Sequence, residues 1–104
     1  MILTILLLAT FSVNYPTATD TLFCPDSATI AWGYSGFAQS TPITILLHHP
    51  KGIDTLYVGT ISPTYRKVFL RQEVQGYAYL EFIILNESRK SENFLIIDPP
   101  ERKK

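Results

Sequence analysis

The stretch Tyr77–Leu85 reads YAYLEFIIL, and its alternation decides the fold. Side chains along an extended chain point alternately to opposite faces. Ala78, Leu80, Phe82 and Ile84 therefore share one face, and Tyr77, Tyr79, Glu81 and Ile83 share the other. Glu81 marks the second face as the wetter one, because an unpaired carboxylate is costly to bury. This is a strand with one face toward a core.

Shorter runs of the same kind flank it, separated by Pro, Gly, Ser and Asn. Thr21–Cys24 is a first edge strand stopped by Pro25. In Ala28–Trp32, Ala28, Ile30 and Trp32 align, and Gly33–Gly36 then turns the chain. Pro42 precedes Ile43–His48, where Ile43, Ile45 and Leu47 oppose Thr44, Leu46 and His48. The segment His49-Pro50-Lys51-Gly52 supplies the next turn. Thr55–Ile61, Arg66–Arg71 and Asn93–Asp98 complete the set. No segment keeps a helical period for three turns without a breaker. Six or seven short strands with turn signals between them predict an all-β protein, an antiparallel β-sandwich of immunoglobulin-like or fibronectin type III-like size, with a five-stranded barrel as the structural competitor. The predicted core is Trp32, Ile45, Leu80, Phe82 and Phe94. With about one small domain's worth of core, loss of one large aromatic should unfold the protein.

The N-terminal segment has a different composition. Residues 1–19, MILTILLLATFSVNYPTAT, carry no charge, and all nine Asp and Glu and all nine Lys and Arg lie from Asp20 onward. The apolar run 2–13 has the length of a secretory h-region and, at about 1.5 Å per residue, is short of a roughly 30 Å hydrocarbon core. The sequence thus predicts a signal peptide over 1–19, an Ig-like sandwich over 20–98 and a polar tail over 99–104. The competing readings of the first segment are a buried strand of the fold and an uncleaved anchor. Without the leader, 36 of 85 residues are apolar, about 42%, an ordinary fraction for a soluble domain.

Balanced charge argues against a dedicated nucleic-acid binder. Cys24 is the single cysteine, so no intrachain disulfide forms; it is either a small buried hydrophobe or a link to another chain. Asn86-Glu87-Ser88 is a glycosylation acceptor sequence if the chain enters a secretory pathway. No nucleophile elbow, P-loop, H-E-x-x-H or C-x-x-C is present. His48 and His49 are strand neighbours and point apart, and Glu73 and Glu81 read as solvated sheet residues rather than a catalytic carboxylate pair. The expectation is a protein without catalytic residues, metal or cofactor. Arg66, Lys67 and Arg71, with Lys51 nearby, make a small basic group. Tyr57, Tyr77 and Tyr79 are the candidate binding surface, since exposed Tyr on a sheet stacks on sugar rings or anchors a protein contact, unless the rings pair within the sheet. Arg102-Lys103-Lys104 reads as a short basic tail, and the expectation is a protein without a GPI signal or tail anchor.

One longer pattern goes further. Thr29–Leu47, TIAWGYSGFAQSTPITILL, resembles the N-terminal Ig-like domain of fungal secreted Ser/Thr-rich, often GPI-anchored cell-wall proteins, a domain shared with yeast cell-wall β-glucan synthesis proteins. The similar elements are Pro25, Ile30-Ala31-Trp32, Gly33–Gly36 and Ile43-Thr44-Ile45-Leu46-Leu47. Val58-Gly59-Thr60-Ile61, Tyr79–Leu85, Asn86–Lys90 and Ser91-Glu92-Asn93-Phe94-Leu95-Ile96 continue the likeness. The resemblance implies a secreted, non-enzymatic module at a cell surface or wall. Its expected partners are cell-wall polysaccharide or a surface protein, with no nucleic acid and no membrane span once a signal is removed. A secreted effector-like or immune-modulating module that binds protein is the alternative.

Overall fold

The computed structural model describes residues 9–98. Nine strands run in chain order: β1 (Thr10–Tyr15), β2 (Thr21–Phe23), β3 (Asp26–Ser35), β4 (Pro42–His49), β5 (Gly52–Thr60), β6 (Tyr65–Leu70), β7 (Gly76–Ile84), β8 (Glu87–Lys90) and β9 (Phe94–Ile97), with one 3₁₀ turn at Gln72–Val74. They form two sheets. One has the order β1-β3-β6; the other runs β2-β9-β7-β4-β5, with β8 also paired to β7. All pairings are antiparallel except β2 with β9. The predicted β-sandwich is therefore the observed architecture.

Alternation explains how the sheets close on each other. Ile43, Ile45 and Leu47 of β4, and Ala78, Leu80, Phe82 and Ile84 of β7, are buried. They meet Ile30 and Trp32 of β3 and Val68 and Leu70 of β6 from the facing sheet, in one core cluster with Phe94 and Ile96. Trp32 stands edge-on to Phe82, with ring centroids 5.7 Å apart. Its Nε1–H donates to the Ile61 carbonyl at 2.9 Å, so the buried indole leaves no donor unpaired. Cys24 is buried, and burial followed by the charges of Asp98 and Glu73 pushes its thiol pKa up. That environment keeps the sulfur a packing atom.

The sandwich starts earlier than Asp20. Residues 10–15, inside the segment read as leader, form β1 and pair with β3 from Thr10↔Ser35 to Tyr15↔Ala31. The reason is visible in TFSVNY: Phe11 and Val13 pack on the core while Thr10, Ser12 and Asn14 alternate with them. The Phe11 ring lies 4.9 Å from that of Phe82. A domain boundary at Asp20 therefore cuts through the paired strands, and residues 10–15 form a half-exposed edge strand rather than a buried one. The leader's residues 1–8 and the tail 99–104 lie outside the described residues.

Two further elements differ from expectation. The chain does not turn at Gly33, because β1 holds β3 extended through Ser35; it turns after Gly36, whose φ of 85° suits glycine. The polar segment Glu87–Lys90, which has no apolar alternation and is not among the expected strands, is a strand, β8. It pairs with β7 through a tight turn in which Leu85 and Asn86 both have positive φ, as a two-residue type I′ hairpin requires. Asn86 sits exposed at that tip.

Candidate binding surface

The outward face of β7 carries Tyr77 and Tyr79, two residues apart and so about 7 Å apart along the strand. They differ in what their rings are free to do. Tyr79 is stacked on His48 of β4, centroids 4.5 Å apart and 8° from parallel. The Lys90 ammonium lies 5.6 Å from its ring centroid. This ring is built into the sheet. Tyr77, in contrast, is 72% exposed. It borders a cleft of about 590 Å³ shared with His48, Pro50, Ile53 and Asn93. Gly76, with a φ of 119°, brings the chain past Pro50 so closely that an added Cβ would lie 2.7 Å from the proline ring. Tyr77 is thereby held beside the β4–β5 turn.

His48 is fixed from its other end. Its Nε2 lies 2.7 Å from Glu81 Oε1, and the Ser88 hydroxyl donates to Glu81 Oε2 at 2.6 Å. The Ser88 hydrogen bond first, then His48, pull the Glu81 carboxyl below its ordinary value. A depressed folded pKa means that the contribution is present above the unfolded value of about 4.5 and is lost as pH falls through the folded one. The melting temperature of the native protein should therefore exceed that of Glu81→Gln at neutral pH. The gap should narrow as pH falls below about 4.5 and vanish once it has fallen through the lowered folded value, a trend that thermal melts across pH would measure.

Tyr57 is not part of this face. A bulge in the β4–β5 ladder separates Ile45↔Tyr57 from Leu46↔Thr55, leaving Leu56 as the extra residue. One extra residue reverses the facing of everything beyond it. Tyr57 consequently points inward at the open side of the sandwich, where it packs partly against the core. Its hydroxyl bonds the Thr60 backbone, and the Arg66 guanidinium lies 4.8 Å over its ring. Gly59 makes room for it, since an added Cβ there would collide with the phenol.

The other candidates are also separated. His49 turns inward, its ring buried, with Nε2 3.1 Å from Asp54 Oδ1. Arg71 chelates the same carboxylate at 2.7 and 2.8 Å. That guanidinium is the main cause of the lowered Asp54 pKa, against the opposing effect of burial. Glu73 pairs with Arg71, so it does not face Glu81. Among the described residues no group of three or more His, Cys, Asp and Glu side chains is placed to hold a metal ion. No helix among them is long and apolar enough to cross a membrane.

The sheet order and register define an immunoglobulin-like β-sandwich of the fibronectin type III kind. A fibronectin(III)-like module of Clostridium thermocellum CbhA is similar in structure, with a TM-score of 0.52 and 11% sequence identity over 85% of this chain and 96% of that one. That likeness is one of fold. No family model matches the chain, and no curated protein matches it.

Proposed function

We propose that the protein is a secreted, non-catalytic Ig-like module that acts at a cell surface or wall by binding wall polysaccharide through the Tyr77 face. The observation that carries this reading is the single free ring on β7: Tyr77 is 72% exposed, it has no ring partner among the described residues, and it stands over a cleft with polar side chains at its rim. An exposed phenol offers a flat apolar face to the C–H side of a sugar and a hydroxyl to its edge. Tyr79, His48 and Glu81 act as the support that keeps this part of the sheet flat and ordered. The resemblance of Thr29–Leu47 to fungal wall-protein domains agrees with such a ligand.

The test is co-sedimentation with insoluble β-glucan and chitin, run beside capture on immobilised surface proteins. Native protein should sediment with at least one polysaccharide, and Tyr77→Ala should lose most of that binding, about tenfold for the loss of one stacking ring at 1–2 kcal/mol. Tyr57→Ala should bind as the native protein does. Capture of a protein partner with no retention on either polysaccharide would replace this reading by the effector-like alternative.

A further inference from the structure

The outward face of the three-stranded sheet is chemically unlike the Tyr77 face. In register across it lie Tyr15, Ala31 and Tyr65, then Thr29 and Lys67, then Ser27 and Phe69. Tyr65 is 60% exposed and Phe69 59%, and neither ring has an aromatic or cationic partner among the described residues. A cleft of about 630 Å³ opens beside them, lined by Thr29, Pro63, Tyr65, Arg66 and Lys67. Its charge is one-sided: two cations line it and no carboxylate does. Neither Arg66 nor Lys67 forms an ion pair with a described residue, whereas Arg71 and Arg89 are paired to carboxylates. Arg66 is held over the Tyr57 ring on the inner side of the edge strand, so Lys67, in register with Thr29 and two residues from Tyr65, is the charge that projects on the outer face.

Unneutralised cations on a protein of zero net charge set up a local positive field that selects an anion. The exposed ring of Tyr65 and the Thr29 hydroxyl add the two contacts that a sugar ring offers, an apolar C–H face and hydroxyls. We propose that this cleft is a second binding site, on the sheet opposite Tyr77, for an anionic sugar of the uronic-acid class. The pyranose lies on Tyr65, its carboxylate is held by Lys67, and Thr29 bonds a ring hydroxyl. The site is independent of Tyr77, so one molecule can hold an acidic and a neutral chain on opposite faces.

The experiment titrates the full chain with a galacturonate oligomer by calorimetry, at low and high salt, beside a neutral β-glucan oligomer and a poly-glutamate peptide. Galacturonate should bind at this site, and more weakly at high salt. Lys67→Gln should weaken binding about tenfold, the size of one charge-assisted hydrogen bond, and flatten the salt dependence. Tyr65→Ala should weaken binding too, while Tyr77→Ala leaves galacturonate unaffected. All three residues are exposed, and unchanged melting temperatures would certify the variants as folded. Absence of galacturonate binding overturns the proposal, as does equal affinity for the peptide. So does a Lys67→Gln variant that binds like the native protein. Loss of neutral glucan binding in Tyr77→Ala is a separate arm and bears only on the Tyr77 reading.

Discussion

Phe82→Ala should abolish cooperative folding or lower the melting temperature by more than about 12 °C. The ring is fully buried and is the point where three strands meet: Phe11 of β1 and Trp32 of β3 both rest on it. Truncating a buried Phe costs about 3–5 kcal/mol, the transfer of the ring plus the cavity left behind. Domains of this size are stable by only about 5–15 kcal/mol, and each kcal/mol moves the melting temperature by about 4–8 °C. No disulfide limits the unfolded state, because Cys24 is the single cysteine. Thermal melts by circular dichroism measure the effect. A fall of only a few degrees would show that the three aromatics do not form the centre of the core.

A chain beginning at Asp20 should be destabilised more than one beginning at Ala9. The longer deletion removes β1 and with it the ladder from Thr10↔Ser35 to Tyr15↔Ala31. It also strips Phe11 and Val13 from the core and uncovers one side of Phe82. Partly burying two such side chains is worth about 2–3 kcal/mol, a large share of the stability of a small domain. The three-stranded sheet would be left as a β3–β6 pair with a new open edge, which favours association. The expected result is a sharp, reversible melt for the longer chain and a broad or absent transition, with aggregation, for the shorter. Equal melts would mean that the sandwich needs nothing before Asp20, as the leader reading over 1–19 requires.

The strands that alternate cleanly were legible in the sequence. In β4 and β7 every second residue is aliphatic or aromatic, and Trp32, Ile45, Leu80, Phe82 and Phe94 are all buried in the core. What escaped has physical causes. β1 alternates only over Phe11 and Val13, and its lack of charge merges it with the apolar run before it. β8 is Glu-Ser-Arg-Lys, with no apolar period, and owes its pairing to the turn at Leu85-Asn86 and to Ser88 bonding Glu81. Tyr57 groups with Tyr77 in the sequence because a bulge between β4 and β5 leaves no mark in composition. Tyr15 and Tyr65 reach one face through a sheet order that no local pattern encodes.

The most direct test of the account is to map where a neutral β-glucan oligomer touches the folded protein, by following backbone amide signals in a titration. Shifts should be confined to Tyr77 and its surroundings, at Gly76, Ala78, Gly52, Ile53 and Asn93, and should be lost in Tyr77→Ala. An oligomer that shifts no signals, or shifts only residues away from the β4–β5 turn, would contradict it.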